Sequence, residues 1–167
     1  MKSEFIFYDK VFTIKELNTT HWKGRYTNGS EGIREILCID VYPDPEKLLE
    51  AYLRSLHTSY VRILSDYFDD GYTIDAKLSR YREGDSYGWH TDDQISHPTG
   101  PKKWKRIISS ITYLNDQFEG GETEFLGYLI KPVKGKSLVF PSNWNFPHCG
   151  HPVTKGIKEI LVMHYWV

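Results

Sequence analysis

The stretch Ile107-Ile-Ser-Ser-Ile-Thr-Tyr-Leu114 is a short, mainly apolar run of the length and composition of a buried strand. Six further short runs of apolar or alternating residues lie beyond Gly71, and turns rich in glycine, proline and asparagine separate them. They lie at residues 74–82, 87–92, 122–125, 128–130, 137–140 and 157–166. Many short strands in this order indicate a sandwich or a barrel, and we expect a mostly β fold, a double-sheet jelly roll.

One long helix is expected to support this β-rich part. Asp44 and Pro45 suit the N-cap and the first helical position, and apolar residues then recur at spacings of three and four. Gly71 suits the end of the helix, which should therefore run from about residue 45 to 69. We interpret its apolar stripe as a surface that packs on the sheet. Short strands and loops are expected earlier, around residues 5–14 and 36–41.

The chain of 167 residues, with 40% hydrophobic content, is long enough for one domain with a core and short for two. We expect a single domain over residues 1–167. In this interpretation residues 1–70 are an N-terminal support and residues 71–167 are the jelly-roll core.

The net charge of -1 provides no global field that would attract nucleic acid or an acidic membrane. No apolar run reaches the roughly 18 residues of a membrane span, and the first residues lack the core of a signal peptide. Cys38 and Cys149 are too few for a disulfide framework. A cytoplasmic protein with no membrane partner is the expectation.

Three side chains suit a single open iron site, namely His90, Asp92 and His148. His90 and Asp92 flank one residue, and side chains two apart leave the same face of a strand. Two histidines and one carboxylate leave coordination positions free, as in non-haem Fe(II) oxygenases. A lone His-x-Asp pair occurs by chance too often to identify a metal site, so the context of the pair must decide.

The residues after His148 provide part of that context. They read as a strand end, a turn at residues 154–156 and a return strand, a hairpin that would place Lys158 beside His148. An ammonium there can pair with a dicarboxylate co-substrate whose other end chelates the metal. Either an anion binds Lys158 or its side chain extends to solvent. Tyr81 and Tyr113 can donate hydroxyl groups to the same carboxylate, or they can simply pack.

Six segments in order resemble the 2-oxoglutarate- and Fe(II)-dependent dioxygenases, specifically the prolyl 4-hydroxylase-like branch, over roughly residues 75–167. They are Ser79-Arg-Tyr-Arg-Glu-Gly84, Tyr87-Gly-Trp-His-Thr-Asp92, Arg106-Ile-Ile-Ser-Ser-Ile-Thr-Tyr-Leu-Asn115, Gly120-Gly-Glu-Thr-Glu-Phe125, Pro132-Val-Lys-Gly135 with Leu138-Val-Phe-Pro141, and residues 148–158. The resemblance implies a double-stranded β-helix, with Fe(II), 2-oxoglutarate and O2 as cofactors and ascorbate as a reductant.

The same resemblance assigns roles to residues. It implies that His90, Asp92 and His148 are the metal ligands. Lys158 then binds the far carboxylate of 2-oxoglutarate, together with the hydroxyl groups of Tyr81 and Tyr113, and Arg106 lies near the substrate. His151 competes with His148, but Lys158 follows His148 by ten positions, the offset typical of the family, so we expect His151 in the turn. His97 and His164 are interpreted as loop and core residues.

The implied reaction decarboxylates 2-oxoglutarate to succinate and CO2 while a C–H bond of the substrate is hydroxylated. A prolyl residue in a protein or peptide is the first choice of substrate, and a free amino acid or small molecule is the second. Collagen-type substrates are not expected, since Glu159 stands where collagen-modifying members carry an aromatic residue. The alternatives are a nucleic-acid dealkylase, whose arginine-rich return strand is absent here, and a non-catalytic jelly-roll binding module.

Residues 97–106 form a basic segment with two prolines, a glycine and four cations. This loop is either a lid, a substrate contact or an ordinary solvated loop. Trp104 stands among the cations, so Trp104 and Arg106 are candidate contacts to an acidic peptide.

Overall fold

A computed structural model describes residues 7–9, 25–27, 33–38, 49–50, 52–54, 62, 64, 66–69, 71–95 and 104–167. Antiparallel strands account for most of this part of the chain. They are β1 (Phe7–Asp9), β2 (Arg25–Thr27), β3 (Ile33–Cys38), β4 (Thr73–Tyr81), β5 (Tyr87–His90), β6 (Arg106–Tyr113), β7 (Glu119–Gly120), β8 (Thr123–Phe125), β9 (Tyr128–Ile130), β10 (Ser137–Pro141), β11 (His148–Gly150), β12 (Val153–Lys155) and β13 (Lys158–Trp166).

The strands form two main sheets. The larger has the order β1-β10-β6-β13-β4-β3-β2, and the smaller has the order β5-β11-β8-β9, while β12 and β7 form a separate pair. β13 is a central strand of nine residues, and it pairs antiparallel with β4 on one side and β6 on the other. This arrangement confirms the predicted mostly β, double-sheet fold.

Two apolar clusters hold the fold together. The first joins β4, β6, β10 and β13 to helical residues, and it includes Leu49, Tyr52 and Leu161. The second lies between the two main sheets, with Phe125 of β8 packed among residues of β4, β6, β10 and β13. The burial of these aromatic and aliphatic side chains is the main favourable term in the stability of the fold.

Helical residues lie within the predicted range, at 49–50, 52–54, 62, 64 and 66–68. Leu49 and Tyr52 are buried against the larger sheet, as the apolar stripe predicts, whereas Tyr67 is exposed. Gly71 adopts a φ of 86° and its N–H donates to the carbonyl of Phe68, which suits a helix end. The remaining residues of the predicted helix lie outside the described residues. Among those described, no helix is long and apolar enough to cross a bilayer.

The described strands of the first 70 residues extend the larger sheet. β1 pairs with β10, and β3 pairs with β4. β1 lies inside the predicted strand region 5–14, and β3 overlaps the region 36–41 at its start. β2 was not predicted, since its residues, Arg25-Tyr-Thr27, form no apolar run. The division into a support and a core at residue 70 stays a prediction.

Candidate metal and co-substrate site

A cavity of about 250 Å³ lies between the two main sheets. Every second residue of β13 from Lys158 to His164 lines the cavity, since the side chains of a strand alternate between its two faces. These residues are Lys158, Ile160, Val162 and His164. The facing positions of β4 contribute Tyr81, Ser79 and Lys77, which pair in register with the first three.

His90, Asp92 and His148 bring one donor atom each into a common space on the wall of this cavity. The three atoms lie within 4.8 Å of one another. Nε2 of His90 is 3.5 Å from Oδ1 of Asp92, and Nε2 of His148 is 3.9 Å from Oδ2. His90 and His148 are direct partners across the β5–β11 ladder, which explains how residues so distant in sequence meet.

The backbone sets the orientation of both imidazole rings. Nδ1 of His90 lies 2.8 Å from the carbonyl oxygen of Gly88, and Nδ1 of His148 lies 3.1 Å from that of Phe146. A carbonyl oxygen only accepts, so each Nδ1 carries the hydrogen and each Nε2 keeps its lone pair. Both lone pairs are therefore available on the side of Asp92. A carbonyl partner on the second ring nitrogen is typical of metal-binding histidines.

The ionisation states also suit a cation. Burial lowers the pKa of His148 to about 4, so this imidazole is neutral near pH 7. Burial would raise the pKa of Asp92, but the surrounding polar groups, His90, His164 and His148 among them, outweigh it. The pKa of Asp92 therefore lies well below its usual range, and the carboxylate is ionised.

Asp92 departs in one respect from the predicted geometry. β5 ends at His90, so Asp92 lies in the segment after the strand and not on it. The alternation of a strand therefore does not place this carboxylate. Arg106 supports it instead, since Nη1 of Arg106 donates to the carbonyl oxygen of Asp92 at 3.2 Å and Nη2 donates to Oε1 of Gln94 at 2.9 Å.

The two expected substrate contacts lie in different places. Arg106 lines the cavity but is buried, with its guanidinium 4.6 Å from the centre of the Trp166 ring. Its contacts fix the segment that carries Asp92. Trp104 is half-buried and is not among the described residues that line the cavity. Residues 97–103 of the basic loop lie outside the described residues.

Lys158 occupies the opposite end of the cavity from His164. Its side chain is buried, so the alternative in which it extends to solvent is wrong. Nζ donates to the carbonyl oxygen of Gly121 at 2.6 Å and lies 5.1 Å from the ring centre of Tyr81 and 5.8 Å from that of Tyr113. Burial lowers its pKa to about 8, against the opposing effects of Glu122 and Cys149. Within the described part of the chain, Lys158 forms no ion pair.

The predicted hairpin between His148 and Lys158 is wrong. β11 pairs with β5 and β8 in the smaller sheet, whereas β13 pairs with β4 and β6 in the larger one. The chain turns at Gly156, as predicted, but β12 before the turn pairs with β7. His148 and Lys158 therefore reach one cavity from facing sheets, because the short segment between them crosses from one sheet to the other.

The tyrosines occupy the Lys158 end. Tyr81 lines the cavity, while the fully buried Tyr113 donates its hydroxyl hydrogen to Oγ1 of Thr123 at 2.7 Å. Thr123 also lines the cavity, although it was not among the predicted site residues. It lies in the segment Gly120-Gly-Glu-Thr-Glu-Phe125, which resembles the oxygenase family, so its hydroxyl group could have been predicted as a site residue.

His164 was interpreted as a core residue, but it is buried and also lines the cavity. Its Nδ1 is 2.7 Å from Oδ1 of Asp75, its partner across the β4–β13 ladder, and its Nε2 is 3.7 Å from Oδ2 of Asp92. The hydrogen bond with His164 lowers the pKa of Asp75 to about 2, although burial alone would raise it. The contact between His164 and Asp75 depends on the register of β4 and β13, which cannot be read from the sequence.

His151 lies directly after β11, and its Nε2 is 2.6 Å from Oε2 of Glu124. The structure thus groups His148, and not His151, with His90 and Asp92. The offset from Lys158 favoured the same choice.

Comparison with known proteins identifies the family of this chain. The family model described as 2OG-Fe(II) oxygenase superfamily matches residues 76–167. The chain belongs to this superfamily. The matched residues include the three donors and Lys158. Members of the superfamily, by its description, depend on 2-oxoglutarate and Fe(II).

Two curated relatives of this chain are named as hydroxylases. A PKHD-type hydroxylase of Synechococcus sp. is 32% identical over 91 residues, covering 51% of this chain and 38% of the relative. A probable prolyl 4-hydroxylase 9 of Arabidopsis thaliana is 36% identical over 111 residues, covering 50% of this chain and 37% of the relative. In each case the aligned part is less than two fifths of the relative's length.

A solved structure shares the fold of the oxygenase. It is the viral collagen prolyl hydroxylase of Paramecium bursaria Chlorella virus-1 in complex with 2OG, with a TM-score of 0.57 and 24% sequence identity. The match covers 82% of this chain and 80% of that chain. At this identity the likeness shows a common jelly-roll fold.

Proposed function

We propose that this oxygenase is a 2-oxoglutarate-dependent hydroxylase in which His90, Asp92 and His148 bind the iron. The observation that carries the proposal is the convergence of two imidazoles and one carboxylate on a cavity whose far end holds a buried cation. Two nitrogens and one oxygen on one side of an ion leave open positions for a co-substrate and O2.

The far end of the cavity suits the second carboxylate of 2-oxoglutarate. Lys158 is desolvated, and an anion would compensate the cost of burying its charge. Tyr81 and Thr123 line the cavity and Tyr113 lies behind Thr123, so hydroxyl groups are at hand to hydrogen-bond the same carboxylate. Lys158 and Tyr81 are direct partners across the β4–β13 ladder, which fixes their relative position.

Iron with 2-oxoglutarate and O2 supplies the oxidising power for C–H hydroxylation, with release of succinate and CO2. The chain's share is positioning. The Gly88 and Phe146 carbonyls hold the two imidazoles, Arg106 holds the segment of Asp92, and Lys158 orients the dicarboxylate. The apolar side chains of Ile160 and Val162 restrict water between these two groups.

For the substrate we propose a prolyl residue in a protein or peptide. Relatives named as prolyl hydroxylases support this choice. A cavity of about 250 Å³ that also receives 2-oxoglutarate admits one side chain and leaves a peptide backbone outside. A free amino acid is the alternative, and ascorbate is the proposed reductant.

The first test requires no substrate. Metal-free protein is titrated anaerobically with Fe(II) and then 2-oxoglutarate, and the visible charge-transfer band of the chelate is recorded. We expect the band with 2-oxoglutarate and not with succinate, which lacks the keto group. A protein that binds neither Fe(II) nor 2-oxoglutarate is no oxygenase.

The second test identifies the substrate. Proline-containing peptide libraries and free proline are incubated separately with enzyme, Fe(II), 2-oxoglutarate, O2 and ascorbate. Mass spectrometry should detect hydroxylated proline in the peptides with matching formation of succinate. Hydroxylation of the free amino acid alone would refute the choice of a peptide substrate while leaving the oxygenase assignment intact.

A further inference from the structure

The smaller sheet carries a second group of metal-binding side chains, Glu124, Cys149 and His151, which we name the β8–β11 cluster. One donor atom from each residue lies within 4.8 Å of the others. None of the three is a proposed iron ligand, although Cys149 also lines the cavity between the two main sheets. The closest contact within the cluster joins Nε2 of His151 to Oε2 of Glu124 at 2.6 Å.

The register of the two strands explains the convergence. Cys149 of β11 and Glu124 of β8 are direct partners across the ladder, so their side chains leave the same face of the sheet. His151 is two residues after Cys149, and its N–H donates to the carbonyl of Glu122, which continues the ladder by one step. All three side chains therefore share one face.

Alternation separates this cluster from the iron donors. His148 precedes Cys149 and Phe125 follows Glu124, and these two aromatic side chains contact each other with ring centres 5.2 Å apart. Neighbouring residues of a strand leave opposite faces, so the cluster lies on the other face of the sheet from His148. An ion there would be distinct from the iron.

The chemistry of the donors selects the ion. A thiolate, an imidazole and a carboxylate together form a typical ligand set for Zn²⁺, with metal–ligand bonds of about 2.0–2.3 Å in a tetrahedron. Donor atoms already within 4.8 Å of one another require only side-chain adjustments to reach such a geometry. The sulfur is supplied by a buried residue, while Glu124 and His151 are partly exposed, so an ion can enter from solvent.

We propose that Glu124, Cys149 and His151 form a second metal site, selective for a thiolate-binding divalent cation such as Zn²⁺. Three protein ligands leave a fourth position for water. The bound ion links β8 to β11, the strand that also carries His148. The site needs neither 2-oxoglutarate nor turnover, so it stands apart from the proposed function.

Co²⁺ is the probe, because a cobalt–thiolate bond gives a near-ultraviolet charge-transfer band that a site of histidines and a carboxylate cannot give. Reduced, metal-free protein is titrated with Co²⁺, both as wild type and as Asp92→Ala to weaken the iron site. We expect the band in both proteins, at one Co²⁺ per chain in Asp92→Ala, and its loss when one equivalent of Zn²⁺ is added.

Cys149→Ser should lose the band, whereas Cys38→Ser should keep it, since the sequence contains two cysteines. Glu124→Gln and His151→Gln retain the sulfur and alter only partly exposed side chains, so they keep the test valid if Cys149→Ser fails to fold. Each should weaken Zn²⁺ binding at least tenfold. No band in the wild type, or a band retained in Cys149→Ser, overturns the proposal and leaves Glu124 and His151 as a hydrogen-bonded pair only.

Discussion

The ammonium of Lys158 and the carbonyl oxygen of Gly121 are joined by a hydrogen bond of 2.6 Å that connects the larger sheet to the segment before β8. Gly121 permits this close approach because a Cβ atom at its position would stand 3.0 Å from Cδ of Lys158. Its φ of 67° also lies in the left-handed region that favours glycine. The geometry of the co-substrate anchor thus depends on a residue without a side chain.

Gly121→Ala should therefore weaken 2-oxoglutarate binding by displacing Lys158. We expect a loss of affinity of about tenfold, together with a destabilisation of about 1–2 kcal/mol from the strained backbone. Calorimetric titration of the metal-loaded protein measures the first effect, and urea unfolding measures the second. Gly127→Ala is the matched control, since Gly127 has a φ of 83° but open space where the Cβ would lie. Equal 2-oxoglutarate affinities in the two variants would contradict the displacement of Lys158.

Lys158→Met should stabilise the protein in the absence of 2-oxoglutarate while abolishing the binding of the co-substrate. The folded protein holds this ammonium at a pKa of about 8, below the ordinary value of 10.5, because burial disfavours the charge. At pH 7 the cost is on the order of 3 kcal/mol, which an apolar side chain of similar length removes. Urea unfolding measures the gain. Lys155→Met, which removes an exposed lysine, should change the free energy of unfolding little. An equal gain in this variant would show that the stabilisation by Lys158→Met does not come from removing a buried charge.

The affinity for 2-oxoglutarate should fall as the pH rises through about 8. The dicarboxylate binds the protonated amine of Lys158. The affinity is therefore highest below the pKa of Lys158 in the free protein, and it falls by about tenfold per pH unit above that pKa. Titrations between about pH 6.5 and pH 9.5, with Mn²⁺ in place of Fe(II), follow the change. Lys158→Arg provides the comparison, since a guanidinium stays charged over this range. A flat profile for the wild type would rule out Lys158 as the anchor.

Asp92→Ala should remove Fe(II) binding and succinate formation while the fold persists. Asp92 lies after β5 rather than in it, and Arg106 contacts its backbone carbonyl, which the substitution keeps. We expect turnover at least ~100-fold lower and an unchanged circular dichroism spectrum. Asp93→Ala changes the neighbouring, exposed carboxylate and should retain activity. Wild-type succinate formation in Asp92→Ala would refute the metal assignment.

Local pattern predicted the strand segments, and the resemblance to the oxygenase family, through the ten-residue offset from His148 to Lys158, favoured grouping His148 with His90. Runs such as 107–114 are long enough for their apolar character to identify a strand. The strands β2, β7 and β12 carry no such signal, because their residues form no apolar run. The pairing of strands is also hidden, because it depends on contacts between residues far apart in sequence.

The wrong hairpin between His148 and Lys158 shows this limit. Nine residues between them suffice for a turn, but they also suffice for the chain to cross to the facing sheet, and only the packed structure decides which occurs. The His164–Asp75 contact, the Gly121 carbonyl and the β8–β11 cluster all depend on register in the same way. Arg106 lines the cavity, yet its contacts with Asp92 and Gln94 could not be foreseen from its position in the chain.

The alternation of Lys158, Ile160, Val162 and His164 along β13 has a consequence for how such proteins can diverge. A single inserted or deleted residue within β13 would turn every later side chain of the strand to its other face. The side chains that now face the cavity would leave it, and those on the opposite face of the strand would replace them. Length changes should therefore accumulate in the connections around the sheets, and β13 should evolve by substitution alone. A library intended to redirect the enzyme is best built by varying Val162 and His164 at constant strand length.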